Sequence, residues 1–404
     1  MKNYLALPPA GITSLLGVMS CILIFMSALS SAQEIELPND PLMGQKVFVK
    51  KGCIKCHSIF GSGGKVGRDF GKTLVNLGTP GILARMWNHS PEMSSLLKKN
   101  HKMPVFSERE MADFIAFIYF LGYLDEEGAP EKGRKVLKDK KCLACHKIGG
   151  EGKAIGPSLD KIRSYANPLS LAQRMWRYGA RMSAVMADMG IQRPEFIGSE
   201  IIDLFAYLRE ISEYKTDAFS YLTPGRPTVG ERLFEEKNCF KCHRIGNKGE
   251  ALGPDITRTQ LQISVTQIAT LLWKHGPRVW EEMEKKGIDR PLFDDNELAD
   301  LVAYLYYLKY TRQSGDFIAG QQLFIKKRCV KCHAVRGYGG NFAIDLAKTD
   351  GVDNYIKITT SMWNHNERMR MLMEKMGLPM PRFNEKEMTD LFFFLVSSRI
   401  KYEK

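Results

Sequence analysis

The stretch Cys239-Phe240-Lys241-Cys242-His243 recurs in kind three times, as Cys53, Cys56 and His57, as Cys142, Cys145 and His146, and as Cys329, Cys332 and His333. Eight of the nine cysteines thus lie in a CXXCH unit. Two thiols three positions apart can each form a thioether to one vinyl group of a haem, and the adjacent histidine is carried beneath the ring to ligate its iron. The eight cysteines are therefore the candidate covalent anchors of four haem c groups, and His57, His146, His243 and His333 the candidate proximal ligands. A zinc ribbon also pairs CXXC units and a thioredoxin-like site uses one, but neither requires a histidine directly after the second cysteine every time. Secreted disulfide scaffolds are short and vary their cysteine spacing, whereas here every spacing is the same.

The units are about 90 residues apart, a period too long for a solenoid and right for tandem domains. A glycine precedes each first cysteine by nine positions (Gly44, Gly133, Gly230, Gly320), and four residues after it stands Phe48, Leu137, Phe234 or Phe324 on the same helical face. A second landmark is a tryptophan helix around Trp87, Trp176, Trp273 and Trp363. The third is a closing helix with apolar positions at i, i+3, i+4 and i+7, such as Leu298, Leu301, Val302 and Leu305, or Met388, Leu391, Phe392 and Leu395. Ser107 with Glu110, Asp294 with Glu297 and Asn384 with Glu387 have capping-box spacing; the second copy has Ile197 there, so its cap is expected to shift or weaken. Polar, Gly or Pro linkers are expected at 126–130, 223–227 and 312–315. No segment shows sustained alternation, and the fold class expected is all-α.

At 404 residues the chain is too long for one compact core. Residues 1–32 read as a targeting segment, with Lys2 in a short n-region, an apolar run over 15–29 and Ser30-Ser31-Ala32 as the cleavage site. Location in a periplasm or otherwise outside the cytoplasm is the expectation; if uncleaved, residues 11–29 approach the length of a membrane anchor. A formal charge of +13, from 58 basic and 45 acidic side chains, suggests an acidic partner or anionic surface, partly offset by haem propionates. Nucleic-acid binding is the poorer reading, because the basic residues are spread along the chain without a recognisable binding module.

Each unit resembles a class I cytochrome c domain. The resemblance rests on the opening Gly/aromatic helix, the CXXCH unit and a closing helix containing Phe117, Tyr207, Tyr304 or Phe394, and covers about residues 43–400. It implies a tandem tetrahaem cytochrome with domains at 43–125, 130–215, 227–312 and 316–404. It further implies that opening and closing helices cross at the glycine and aromatic pair, and that each haem has a histidine and usually a methionine as axial ligands.

Most of the 20 methionines must be packing residues. Between Gly230 and Gly315 the only one is Met283, ten positions after Trp273; the same offset reaches Met186 and Met373, but Leu97 in the first repeat. There Met103, in Met103-Pro104-Val105-Phe106, is the first choice of distal ligand and Met93 the second, while the fourth repeat offers Met380 as an alternative to Met373. Arg193 and Arg290 hold the pre-proline position in the inner repeats and cannot ligate iron. His89, His275 and His365, each two residues after the tryptophan, are rival ligands; Tyr178 in the second repeat argues that this position donates a hydrogen bond instead. His101 falls outside the aligned pattern and is expected at the surface. Behind the proximal histidine, Gly156-Pro157 and Gly253-Pro254 differ from Gly67-Arg68 and Ala343-Ile344, where the family has a carbonyl that orients the imidazole, so outer and inner haems are expected to form two unequal pairs.

The function expected is that of an exported carrier passing single electrons along haems in successive domains. Its partners would be redox proteins with acidic docking surfaces, steered by lysines at the haem edges. Two alternatives stand beside it: a haem enzyme or small-molecule binder with one open coordination site, sought first in the irregular first domain, and a redox subunit of a membrane respiratory complex.

Overall fold

Gly44 has no room for a side chain, because a Cβ there would run into the Asp113 carbonyl oxygen and stand 2.6 Å from the Cβ of Phe117. The same closeness recurs between Gly133 and Tyr207 (2.8 Å), Gly230 and Tyr304 (2.7 Å), and Gly320 and Phe394 (2.6 Å). These are the points at which opening helices Pro41–Lys50, Pro130–Asp139, Pro227–Glu236 and Phe317–Lys326 cross closing helices Glu108–Tyr123, Glu200–Ile211, Glu297–Thr311 and Glu385–Ser397. The computed structural model describes residues 40–73, 77–97, 103–123, 128–162, 168–214, 224–256, 265–294, 296–311, 315–352 and 354–399. The targeting segment, His101 and parts of the three linkers lie outside them, and among the described residues no helix is long and apolar enough to cross a membrane.

An aspartate four residues before each crossing aromatic completes the joint. Asp113, Asp203, Asp300 and Asp390 are buried. Their Oδ1 atoms accept the backbone N–H of the residue preceding the opening helix: Asp40 (3.0 Å), Ala129 (2.8 Å), Arg226 (2.6 Å) and Asp316 (2.7 Å). A carboxylate here meets the positive end of the helix dipole. Burial nevertheless pushes the Asp113 and Asp300 carboxyls above their usual range, so the joint is electrostatically costly and held by its hydrogen bonds.

A lysine two residues before each first cysteine ties the opening helix to the loop ahead of the closing helix. Lys51, Lys140, Lys237 and Lys327 donate to the carbonyls of Val105 (2.6 Å), Glu195 (2.6 Å), Leu292 (2.9 Å) and Arg382 (2.6 Å). Each also pairs with the glutamate of the closing helix's first turn, Glu110, Glu200, Glu297 or Glu387, at 2.8–2.9 Å. That glutamate accepts the N–H of Ser107, Ile197, Asp294 or Asn384, so Ile197 keeps this half of the capping box and loses only the half that needs a side-chain oxygen. These four lysines thus serve the fold and are not free docking charges.

The modules do not pack in chain order. Tryptophan helices Thr79–Leu97 and Tyr355–Lys375 pack together, joining the first module to the fourth, and Pro168–Asp188 packs on Val265–Lys285, joining the second to the third. Each pair is a reciprocal clasp. Trp87 Nε1 donates to Pro381 O and Trp363 Nε1 to Pro104 O, both at 2.7 Å. Trp176 Nε1 donates to Pro291 O at 2.8 Å and Trp273 Nε1 to Pro194 O at 2.7 Å.

The outer clasp is finished by neutral amides: Asn88 exchanges hydrogen bonds with the backbone of Phe383, and Asn364 with that of Phe106. Guanidinium groups finish the inner one. Arg193 stacks 3.4 Å above the Trp273 ring and donates to Trp273 O, and Arg290 donates to Arg177 O. The closing helices of the first and third modules also touch, through Tyr119 and Tyr307 with ring centroids 5.8 Å apart. Packing therefore runs second, third, first, fourth, in place of the succession expected from the chain.

Candidate functional site

Each CXXCH unit begins where the opening helix ends. The residue before the first cysteine takes the left-handed conformation, with φ of 81° at Gly52, 58° at Lys141, 60° at Asn238 and 67° at Arg328. This reverses the chain into a single 3-10 turn that runs from the first cysteine to the residue before the second. The histidine N–H then bonds the first cysteine's carbonyl at 2.8–3.0 Å in every copy, fixing both thiols and the imidazole on one short platform. All eight cysteines of these units are free thiols, so none is committed to a disulfide.

The two thiols of a unit, equivalent as sequence, have unequal surroundings. Cys53, Cys142, Cys239 and Cys329 pack against the hydrophobic core. Burial pushes the thiols of Cys53, Cys142 and Cys329 up to about 11 and that of Cys239 to about 12, so they stay protonated. The second cysteines, Cys56, Cys145, Cys242 and Cys332, are half-buried and are placed by main-chain bonds. The N–H of Cys56, Cys145 and Cys242 meets the carbonyl of the first cysteine at 3.2 Å, and that of Cys332 at 3.1 Å. Their own carbonyls accept the N–H of Gly67 (2.7 Å), Gly156 (2.8 Å), Gly253 (2.7 Å) and Ala343 (2.8 Å), which draws the following loop under the imidazole. Cys145 has a further neighbour that the motif did not signal, since its Sγ lies 3.9 Å from Met189 Sδ. Among the described residues no three His, Cys, Asp or Glu side chains converge as a metal cage would need. The platforms are built like haem anchors and unlike a zinc ribbon.

The imidazoles are oriented by the main chain. Nδ1 of His57, His146, His243 and His333 lies 2.9, 2.8, 3.2 and 3.1 Å from the carbonyl oxygens of Arg68, Pro157, Pro254 and Ile344. An Nδ1–H donated to that carbonyl leaves the Nε2 lone pair for an iron. In the first three modules the preceding glycine lets the backbone lie against the ring: a Cβ on Gly156 or Gly253 would stand 2.6 Å from the imidazole carbon, whereas the fourth module has Ala343 there. Because the acceptor is a backbone oxygen, arginine or isoleucine supplies it as well as proline. This hydrogen bond therefore does not distinguish outer from inner repeats, whereas the clasps do.

In the fourth module the platform opens on a cavity of about 670 Å³, within the ~300–1,000 Å³ range of pockets that hold cofactor-sized ligands. Cys329, Cys332 and His333 lie on one wall, with Arg328 and Arg368 also lining it, while the tryptophan helix contributes Met362, His365, Met369 and Met373. Thiols, imidazole, an apolar slot and cationic groups suit a haem with its propionates. Trp87 of the first module also lines this cavity, a residue that repeat-by-repeat alignment assigns to its own domain.

Among the described residues lining the cavity, Met373 is present and Met380 is not, although Pro381 beside it is. Met369, six positions after Trp363, lines it too and was not among the expected ligands; its counterparts Met93 and Met182 were visible as a repeated Trp-to-Met offset. Met283 is buried in the third module, and Met103, Met93 and Met186 are partly buried against the core. Met373→Leu should abolish methionine-to-iron charge transfer from one haem, whereas Met380→Leu should leave it; near-infrared spectra of the two variants make the comparison.

A family model described as Cytochrome c matches residues 130–212, 228–309 and 317–399, the second, third and fourth repeats. No curated protein matches the chain at a significant level.

Proposed function

The chain belongs to the cytochrome c family, and from that premise we propose that it is an exported carrier of single electrons holding four covalent haem c groups. The observation that carries this reading is the fourfold platform of two thiols and one imidazole whose Nδ1 is tied to a backbone carbonyl. Bound there, haem iron supplies one-electron chemistry. The protein's part is to hold each imidazole in one tautomer, keep water from the ring with the tryptophan and closing helices, and fix the modules against one another through the clasps. Fixed modules limit rearrangement between oxidation states.

Export is supported by the N-terminal 1–32 segment together with the thioether anchors. Acidic redox partners are the proposed docking class, and the exposed lysines best placed to meet them are Lys55, Lys241 and Lys331, inside the CXXCH units of the first, third and fourth modules. The second module has Ala144 there. The test is to count haems that remain on the chain in acidified organic solvent and to expose the reduced protein to carbon monoxide. Four retained haems and an unchanged spectrum are expected; a haem that binds carbon monoxide would point to an open coordination site and ligand chemistry.

A further inference from the structure

We infer that the first module binds its haem between two histidines, His57 and His89, and that this haem has a lower potential than neighbours with a methionine ligand. The inference rests on the haem reading above and deepens it. The ring centroids of His57 and His89 lie 6.0 Å apart, with the planes crossed at 72°. Imidazole nitrogens bind first-row metals at about 2.0–2.1 Å, and roughly another ångström separates each nitrogen from its ring centre, so two axial imidazoles on one iron stand about 6 Å apart. The outer nitrogen of each ring is already occupied: His57 Nδ1 by Arg68 O at 2.9 Å, His89 Nδ1 by the Glu92 carboxylate at 3.2 Å. That pattern leaves an Nε2 on each ring for metal, and a carboxylate behind a ligating histidine strengthens it as a ligand.

The other modules are built differently. His57 is buried, at 7% exposed, against His89 and Phe70, whereas His146, His243 and His333 are only half-buried. His275 and His365 are exposed where His89 is half-buried, and Tyr178 takes the place in the second module. Where the other three repeats carry Met186, Met283 and Met373, the first has Leu97. Its alternative Met103 corresponds to Met380, which does not line the fourth cavity among the described residues. Met93 corresponds to Met369, which does, and is the rival ligand to be tested.

A methionine ligand raises a haem's potential, so replacing it by imidazole lowers it. With packing in the order second, third, first, fourth, this low-potential haem would sit between the inner pair and the fourth module.

Near-infrared magnetic circular dichroism of the intact holoprotein distinguishes histidine/histidine from histidine/methionine iron. One histidine/histidine component is expected in the unaltered protein. His89→Ala should remove it and create one carbon monoxide site per chain, and His89→Met should convert it to a histidine/methionine band. Met93→Ala and Met103→Ala should leave it in place. Absence of the component from the unaltered protein, or its loss in Met93→Ala or Met103→Ala, overturns the assignment, and does so even if His89→Ala fails to fold. A chain without covalent haem would instead overturn the underlying haem reading.

Discussion

Trp87→Ala should disturb the haem of the fourth module more than that of the first. Trp87 is 4% exposed, donates to Pro381 O at 2.7 Å, packs edge-on against Phe383 at 6.1 Å and lines the cavity that holds Cys329 and His333. Truncating a buried tryptophan costs about 3–5 kcal/mol. The proline carbonyl left behind faces an apolar wall, which adds to the cost. The readouts are thermal unfolding and the potential and ligand spectrum of each haem. Trp87→Phe should retain much of the packing but not the hydrogen bond, recovering stability in part. Should the first haem alone respond, the clasp between first and fourth modules is not what shapes the fourth site.

Gly230→Ala should destabilise the third module by about 3 kcal/mol or more, at the top of the range for overpacking a core, because the obstacle is backbone. Its new methyl carbon would run into the Asp300 carbonyl and lie 2.7 Å from the Cβ of Tyr304. Glycine to alanine inside a helix ordinarily stabilises it by about 1 kcal/mol, so the sign of the effect is the test. Denaturant unfolding, with the haem content of the purified variant, measures it. Separation of the two helices would also pull the Arg226 N–H from Asp300. A variant as stable as the parent would mean that the crossing is looser than the structure has it.

The helix crossing was legible because glycine and aromatic recur at fixed offsets and only a missing side chain explains the glycine. Asp113, Asp203, Asp300 and Asp390 carried an equally regular signal, four residues before each aromatic, but charged residues on a helix read as solvated until their backbone partners are seen. The same holds for Lys51 and its three counterparts, which look like surface charge and are internal ties. Within the CXXCH units the shared platform was legible, while the unlike settings of Cys53 and Cys56, or of Cys142 and Cys145, were not, because they depend on which thiol the turn aims at the core. The acceptors behind the proximal histidines are carbonyls, which no side-chain pattern reports. Module pairing was illegible for a different reason: every repeat has both the tryptophan and the proline loop that receives it. A domain closing on itself and two domains clasping each other therefore have the same sequence. For the distal ligands the sequence leaves alternatives open, since three helical offsets each contain an exception, and the assignments proposed above draw on the cavity lining and the nearness of His57 to His89.

The nested clasps also bear on how the molecule is made. A chain emerging from its amino-terminal end first can complete the inner pair as soon as the third module appears, and domains generally fold as units during synthesis. The first module has no clasp partner waiting, although its closing helix can already meet that of the third. Its tryptophan face stays uncovered until the fourth module arrives, so a product lacking that module would expose Trp87 and Leu83, which otherwise pack with its residues. Loss of the fourth module should thus leave a sticky remnant, because that module acts as the lid on the first.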